Sequence, residues 1–261
     1  MLSEFFVCTL VGLIFATGFA SGSLAAPGVD SLVGYWAFDE EKGDAAKDYS
    51  GNGNDGVLKG GPGWVSGQFG TALDFDGVDD YVEVPTMAGI DAFDEGTIEL
   101  WVKLETWADY DNLFGTQTEA NNINVIRLER TWPDSDEVTA YIGDKAGAYK
   151  SVTSSMVLKV NIWTHVALTW STAESSATVY LDGVPTSGAI NTFPDVYPAV
   201  RIGTGYAGRF ANGIIDEVRM WSKALSQKEL ESNMEKGKEF ILAIRWKGKL
   251  STSWGFLKAQ Y

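Results

Sequence analysis

The chain has 261 residues and a formal net charge of -15, from 20 Lys+Arg against 35 Asp+Glu. This negative excess argues against nucleic acid and anionic membrane surfaces as partners, because both require a positive protein surface. It leaves many carboxylates available for hard cations such as calcium. Hydrophobic residues make up 45% of the chain, which is enough to fill a core and excludes a disordered protein.

The chain has one cysteine, Cys8, and one histidine, His165. An intrachain disulfide and a structural zinc site of the Cys/His type are therefore excluded. A Ser-His-Asp triad would have to use His165.

The N-terminus carries the pattern of an export signal. An uncharged apolar run at 5–20 is followed by the small residues SGSLAAP, which predicts a signal peptide over 1–25 and cleavage near Ala25 or Ala26. The run is shorter than the about 18 residues of a membrane-spanning helix. Glu4, and the lack of Lys or Arg before the run, depart from the signal pattern, and an uncleaved anchor is the alternative. After cleavage we expect no stable membrane span.

From residue 32 onwards, short apolar runs with a period of two alternate with Gly, Asn and Asp, which predicts strands and turns. The DGVDD segment at 76–80 predicts a hairpin between its flanking strands. Strict alternation in the last strand would place Asp216 on the same face as Ile214, Val218 and Met220. The predicted strands are 32–38, 72–75, 81–84, 97–103, 113–116, 123–129, 137–142, 163–170, 178–181, 200–203 and 214–221. This pattern predicts an all-β fold, a β-sandwich or jelly roll.

One short helix and a distinct tail follow the last strand. Ser226 and Glu229 have the spacing of a capping box, and Gly237 can end the helix. The tail, 237–261, has a positive excess and several aromatic residues. We predict that the tail is an edge strand packed on the sandwich, and the alternative is a docking segment for a partner.

Several segments, in order, resemble the LamG-like jelly-roll module of the concanavalin A-like lectin/glucanase superfamily. The resemblance covers 30–236 and implies two packed antiparallel sheets, usually in secreted or cell-surface proteins that bind glycans or proteins. Many members hold a structural calcium ion. The segments are GYWAFDE (34–40), DYSGNGNDG (48–56), FGTALDFDGVDDYVEVP (69–85), GTIELWVK (96–103), WTHVALTW (163–170), VYLDGV (179–184) and NGIIDEVRMWSKALSQKEL (212–230).

A set of acidic and amide side chains has the composition of a calcium site, since calcium takes six to eight oxygen ligands. The alternative is turn chemistry, in which Asp and Asn side chains cap their own backbone. The acidic turn at 76–80 is expected to be a turn alone. The resemblance favours a structural Ca²⁺ ion, and the predicted ligands are Asp39, Asp48, Asn52, Asn54, Asp55 and Asp216.

The sequence lacks the catalytic pattern of the superfamily's glycanases. Those enzymes carry carboxylates spaced as E-x-D-x-x-E on one strand, where acid and nucleophile flank the scissile bond. Glu99 is followed by Trp101 and Leu104 at the required positions, and Glu129 is followed by Thr131 and Asp134. We therefore expect no enzymatic activity and a structural role for His165.

Aromatic residues in predicted loops are candidates for stacking on sugar rings. Trp107, Tyr110 and Trp132 lie beside Asp or Asn, which can read sugar hydroxyls. Tyr149, Tyr197 and Tyr206 also lie in predicted loops. The alternative is that each ring covers a hydrophobic edge.

These observations predict a secreted or cell-surface, two-sheet antiparallel jelly-roll β-sandwich with one short C-terminal helix. Its expected role is a non-enzymatic binding or adhesion module that recognises a glycan or an extracellular protein, with a structural calcium ion. A carbohydrate-active enzyme related to glycoside hydrolases or lyases and a purely structural extracellular protein are the alternatives. The residues of the functional site distinguish these three functions, because many functions share this fold.

Overall fold

The computed structural model describes residues 29–87, 94–105, 111–116, 125–130, 136–193, 199–206 and 208–239. The predicted signal peptide, the tail beyond residue 239, and Trp107, Tyr110 and Trp132 lie outside these residues. Residues 238 and 239 have helical backbone. No helix in the described ranges is long and apolar enough to cross a membrane.

The described residues form a 3-10 turn at Val29–Ser31, sixteen strands and one α-helix. The elements are β1 (Leu32–Trp36), β2 (Ala45–Ala46), β3 (Gly56–Lys59), β4 (Gly63–Ser66), β5 (Thr71–Asp76), β6 (Tyr81–Val84), β7 (Glu95–Leu104), β8 (Asn112–Gly115), β9 (Ile126–Arg130), β10 (Glu137–Gly143), β11 (Tyr149–Val157), β12 (Thr164–Ser171), β13 (Ser176–Leu181), β14 (Val184–Ala189), β15 (Val200–Ile202), β16 (Asn212–Trp221) and α1 (Gln227–Met234).

The strands form two eight-stranded antiparallel sheets. Sheet I has the order β14-β13-β12-β7-β16-β5-β4, with β1 also paired to β16. Sheet II has the order β11-β10-β9-β8-β15-β6-β3-β2. This architecture confirms the predicted jelly-roll sandwich with a single short helix near its C-terminal end.

The core lies between the sheets and follows the period of two in the sequence. Ile98, Leu100 and Val102 of β7 point inward, as their alternation predicts. Leu128 and Ile202 meet them from sheet II. The outer faces of both sheets carry the polar residues of the same strands, and the candidate sites lie on those faces.

Strict alternation fails in β16, so the predicted face of Asp216 is wrong. Asp216 pairs with Trp101, but the register shifts before Arg219 pairs with Glu99. Glu217 lies at this shift with a φ of 54°, so the strand has a β-bulge there. The extra residue turns Asp216 and Arg219 to the same outer face of sheet I.

The predicted hairpin around DGVDD is also wrong. β5 pairs with β4 and β16 in sheet I, whereas β6 pairs with β3 and β15 in sheet II. The turn therefore carries the chain from one sheet to the other. Gly77, with a φ of 76°, supplies the reversal but does not choose the pairing partner.

Helix α1 confirms the predicted capping box and covers part of the outer face of sheet I. The Ser226 side chain accepts a hydrogen bond from the Glu229 backbone N–H, and the Glu229 side chain accepts one from the Ser226 N–H. Leu230 packs in a second apolar cluster with Tyr35 and Trp221. The helix ends at Met234, three residues before Gly237.

A buried carboxylate joins α1 to sheet I. Glu99 Oε1 accepts hydrogen bonds from Trp221 Nε1 at 2.9 Å and from Asn233 Nδ2 at 2.8 Å. Its Oε2 lies 3.4 Å from His165 Nε2, and His165 is 1% exposed. Burial acts to raise the pKa of Glu99, but the contacts with His165 and the Arg219 guanidinium hold that pKa below its usual value.

We predict that Glu99→Gln lowers the free energy of unfolding by about 3 kcal/mol at pH 7, because it breaks a buried charged network. The pKa of Glu99 is lowered in the folded protein, so its contribution is complete above the unfolded value of about 4.3 and is lost as pH falls through the folded value. Urea unfolding of parent and variant at pH 7 and below pH about 4 measures both effects.

Glu83→Gln is the control for this comparison. Glu83 makes a half-exposed ion pair with Arg201 at 2.9 Å, and its loss should cost less than about 1 kcal/mol. Equal stability of parent and Glu99→Gln at pH 7, or a difference that grows on acidification, would contradict the account of the buried network.

Candidate functional site

A polar row crosses the outer face of sheet II in register. Tyr141 pairs with Arg127, Arg127 with Gly115, Gly115 with Arg201, and Arg201 with Glu83. Because side chains of directly paired residues lie on the same face, this row points away from the core. The row collects charged and aromatic groups on one surface.

Arginine and tyrosine side chains alternate in a stack on this face. The Arg209 guanidinium lies 4.4 Å from the Tyr206 ring centroid, and that of Arg127 lies 4.9 Å from Tyr206 and 4.4 Å from Tyr141. The Tyr141 and Tyr149 rings follow at 6.0 Å. We call these five residues the Arg–Tyr stack. The distances are those of favourable cation–π contacts.

Glu129 joins the two arginines of the stack. Its Oε2 lies 3.0 Å from Arg127 Nε and 3.0 Å from Arg209 Nη1, and it accepts a hydrogen bond from Asn112 Nδ2 at 3.2 Å. Burial lowers the pKa of the Arg127 guanidinium, and the Glu129 carboxylate opposes that effect. Two guanidinium groups share one carboxylate, so this patch is locally positive on a chain of charge -15.

The backbone after β15 brings Tyr206 and Arg209 over the sheet. A Cβ atom on Gly115 would lie 2.6 Å from Gly205 Cα, so only glycine permits this close approach. Thr204 Oγ1 donates a hydrogen bond to the Arg209 carbonyl at 2.7 Å, which closes the segment on itself. The stack is therefore assembled from three strands of sheet II and the segment that follows β15.

The rings of the stack become more exposed towards β11. Arg127 is 3% exposed, whereas Tyr141 and Tyr206 are half-buried and Tyr149 is 48% exposed. Asn112 is fully buried, and its Oδ1 has no hydrogen-bond partner among the described residues. The stack thus offers solvent an aromatic surface whose charged members are already held in place.

The predicted sugar-stacking residues Trp107, Tyr110 and Trp132 lie in segments outside the described residues. The residues next to those segments meet, since Arg130 Nε lies 3.0 Å from Asp111 Oδ2. Burial raises the pKa of Asp111 to about 6, opposed by the backbone N–H of Asn212 and by Arg130. The two segments therefore adjoin the same end of β8 and β9, and their role in binding stays a prediction.

The 48–55 loop uses its polar groups to cap β1. The Asp48 carboxylate accepts hydrogen bonds from the backbone N–H groups of Tyr35, Ser50 and Asn54 and from the Ser50 hydroxyl. Asp55 Oδ1 accepts one from the Asp48 N–H at 2.8 Å. The Nδ2 groups of Asn52 and Asn54 donate to the Val33 carbonyl at 2.9 Å. These four predicted calcium ligands thus take part in turn chemistry.

Asp39 and Asp216 meet at the 67–71 turn instead. Asp39 Oδ1 accepts a hydrogen bond from the Thr71 N–H at 2.9 Å, and Asp216 Oδ2 accepts one from the Phe69 N–H at 3.0 Å. Asp216 is fully buried, and its Oδ1 has no hydrogen-bond partner among the described residues. Burial raises the pKa of Asp216 to about 8. Lys238 Nζ lies 2.9 Å from Asp39 Oδ2.

Two glycines in the turn leave room for these carboxylates. A Cβ atom would lie 2.5 Å from Asp216 Oδ2 at Gly67, and 2.0 Å from Asp39 Oδ1 at Gly70. The turn thus brings two carboxylates together, and carboxylate oxygens are ligands that calcium prefers. The orphaned Asp216 oxygen fits a cation at this place.

Among the described residues, one group of three acidic side chains places ligand atoms within 4.8 Å of one another: Asp76, Asp79 and Asp80. Asp76 Oδ1 accepts hydrogen bonds from the Val78 and Asp79 N–H groups, and Asp80 Oδ2 accepts one from the Asp76 N–H. These contacts are those expected of a turn.

A family model described as the concanavalin A-like lectin/glucanases superfamily, Laminin_G_3, matches residues 76–231. The chain belongs to this superfamily. A comparison with curated proteins found no match. The superfamily includes both lectins and glucanases, so membership leaves the chemistry to the site.

Solved structures share the fold. Domain 4 of AbnA, an extracellular GH43 arabinanase from Geobacillus stearothermophilus, in complex with arabinotriose, has a TM-score of 0.64 and 20% identity, over 77% of this chain and 97% of that one. The binding domain of Paraclostridial Mosquitocidal Protein 1 has a TM-score of 0.64 and 19% identity, over 79% and 52%. The botulinum neurotoxin serotype D ligand-binding domain, in complex with N-acetylneuraminic acid, has a TM-score of 0.60 and 17% identity, over 79% and 51%. The chain spans about half of each toxin domain.

Proposed function

We propose that this protein is a non-catalytic glycan-binding module and that the Arg–Tyr stack is its binding surface. The observation that carries the proposal is the alternation of Arg209, Tyr206, Arg127, Tyr141 and Tyr149 on the open face of sheet II. Carbohydrate-bound structures of the same fold support a glycan as the ligand class.

The chemistry of the stack suits a sugar chain. The exposed face of Tyr149 and the half-buried Tyr141 offer rings for the apolar C–H faces of sugars. The guanidinium of Arg127, packed between two rings, keeps Tyr141 and Tyr206 in one orientation. Little side-chain entropy is then lost on binding, which favours affinity for a shallow site.

Glu129 is the acidic group of this surface, and its contacts support a structural role. Its carboxylate is held by Arg127, Arg209 and Asn112, so it keeps the two guanidinium groups together. A glycosidase requires two carboxyl groups that flank the scissile bond, one of them able to give up a proton. A carboxylate bound by two arginines suits organisation of a binding surface better than proton donation.

Tyr149→Ala tests the binding surface. We expect the variant to bind glycans about tenfold more weakly than the parent, because stacking on one exposed ring contributes on the order of 1 kcal/mol or more. Its melting temperature should change little, since Tyr149 is 48% exposed. The measurement is a glycan array that includes arabinotriose and N-acetylneuraminic acid, followed by titration calorimetry with the strongest oligosaccharide.

Ile162→Ala is the matched control, because Ile162 is an exposed apolar residue, 54% accessible, outside the stack. It should bind as the parent does. Loss of affinity in both variants, or in neither, would reject the stack as the binding surface. Release of reducing ends from the bound oligosaccharide would reject the non-catalytic role.

We also propose that a structural calcium ion binds at the 67–71 turn, with Asp39 and Asp216 as its side-chain ligands. The orphaned Asp216 Oδ1 and the two glycines beside the carboxylates support this placement. The 48–55 loop would support the ion indirectly, because Asp48 holds the loop against β1. Calcium would link the segment after β1 to the bulged strand β16.

Millimolar calcium should stabilise the protein by on the order of 1 kcal/mol, if its Kd is that of a weak extracellular site, on the order of 10⁻⁴–10⁻³ M. Asp216→Asn should remove this gain, and Asp76→Asn, in the other acidic turn, should retain it. Thermal melts in calcium and in chelator at matched ionic strength measure the difference. Identical parent curves in both conditions would exclude the ion.

Export is the remaining part of the proposal. The uncharged run 5–20 and the small residues after it support a cleaved signal peptide and a secreted or cell-surface location. N-terminal sequencing of the exported protein should begin near Ala26 or Pro27. An intact Met1 recovered in a membrane fraction would instead demonstrate an anchor.

A further inference from the structure

A polar pocket lies on the outer face of sheet I, on the opposite side of the sandwich from the Arg–Tyr stack. Its cavity has a volume of about 290 Å³ and lies between β12, β13 and the segment that leads into α1. Small-molecule pockets have volumes of roughly 300–1,000 Å³, so this pocket suits one small ring. We call it the hydroxyl pocket.

Strand pairing places hydroxyl groups side by side on the pocket floor. Ser171 is paired with Ser176 on one side and with Glu95 on the other, and Thr169 is paired with Thr178. All five residues line the pocket. Side chains of directly paired residues share a face, so the hydroxyls form a compact polar surface.

Two buried polar side chains face the cavity without partners. Thr169 is 7% exposed and Tyr180 is 8% exposed, and both line the pocket. Neither hydroxyl has a hydrogen-bond partner among the residues that the structure describes. Neither oxygen is among the side-chain atoms that are buried without a partner, so both hydroxyls reach the cavity and are open to hydrogen bonds with a ligand.

The pocket wall is fixed by hydrogen bonds to the sheet. Thr97 Oγ1 donates to the Lys223 carbonyl at 2.7 Å and accepts from the Leu225 N–H at 2.9 Å. Lys223 Nζ pairs with Glu229 Oε1 at 2.9 Å. The segment that carries the lining residues Ala224 and Leu225 is therefore held in place without a ligand.

Carboxylates give the pocket its charge. Glu95 and Glu174 are exposed and line the pocket, and the Glu174 N–H donates to Ser171 Oγ. No lysine, arginine or histidine is among the described residues that line it. Carboxylates accept hydrogen bonds and attract cations, whereas hydroxyls both donate and accept. The ligand should therefore carry hydroxyls and a positive charge.

We propose that the hydroxyl pocket binds an amino sugar, with its ammonium group between Glu95 and Glu174 and its hydroxyls on Thr169, Ser176 and Tyr180. This assignment does not depend on the Arg–Tyr stack, since the pocket lies on the other sheet. The protein would then hold two different sugar sites, one with a positive patch and one negative.

Ligand-observed NMR titration of the full-length protein with D-glucosamine at pH 6, where the amine is protonated, tests the proposal. D-glucose, N-acetyl-D-glucosamine and butylamine are the comparison ligands. Glucosamine should bind at least about tenfold more tightly than each, because it alone combines hydroxyls with an ammonium group. Equal affinity for glucosamine and any comparison ligand, or no binding of glucosamine, would overturn the assignment.

Variants locate the binding. Glu95→Gln and Glu174→Gln should each weaken glucosamine binding about tenfold, and Tyr180→Phe several-fold. Glu105→Gln, an exposed carboxylate just beyond the other end of β7, should leave it unchanged. Unchanged affinity in both Glu95→Gln and Glu174→Gln would overturn the proposal.

Discussion

The bulge at Glu217 is the constraint on which much of sheet I depends. β16 pairs with β7 on one edge, and on its other edge it pairs first with β5 and then with β1. Glu217 lies where the partner changes, with a φ of 54° that costs on the order of 1 kcal/mol or more for a non-glycine residue. The Tyr35 hydroxyl donates to Glu217 Oε2 at 2.6 Å, and Arg219 also contacts this oxygen. These buried contacts hold the strained residue in place.

The bulge orients two ionisable side chains, Asp216 and Arg219, toward different neighbours. Asp216 turns to the 67–71 segment beside Asp39, and Arg219 turns to Glu99 and the end of α1, where it donates to the Asn233 carbonyl at 3.3 Å. Without the extra residue, one of the two would point into the apolar core. A single backbone irregularity thus positions both the proposed cation site and the helix.

The outer faces of the two sheets differ in how far they are covered by other parts of the chain. In sheet I, Leu230 of α1 packs in one cluster with Trp221, and Asn233 of α1 donates a hydrogen bond to Glu99, which also contacts His165. In sheet II, Tyr141 and Tyr149 remain accessible on the outer face. Ligands can reach the open face of sheet II, and beside the helix on sheet I the hydroxyl pocket is open.

The sequence predicted the fold where burial was strong. The predicted strands at β12 and β13 and the capping box of α1 are confirmed, because alternation and local capping are encoded within a few residues. The sequence pattern does not predict the strands β2, β3, β4, β11 and β14. All of these except β3 lie at sheet edges, where one-sided and weak burial leaves little alternation, and Pro185 further obscures β14.

The candidate site was harder to predict for a related reason. The sequence pattern predicts a loop at Tyr149, whereas the structure has this residue as the first of the edge strand β11. Tyr206 and Arg209 reach the stack through the contact between Gly205 and Gly115, which are 90 residues apart in sequence. No local sequence pattern encodes that approach, so the Arg–Tyr stack cannot be predicted until the pairing of the strands in sheet II is known.

The central claim is that a glycan binds across the Arg–Tyr stack. The most direct test is an NMR titration of the protein with an oligosaccharide that binds on the array, in which the signals of the tyrosine rings are followed. The account predicts that the ring signals of Tyr141, Tyr149 and Tyr206 shift together and saturate with one affinity, while the signal of Tyr35, buried under α1, stays in place. Saturable binding that leaves the three stack tyrosines unmoved would contradict it.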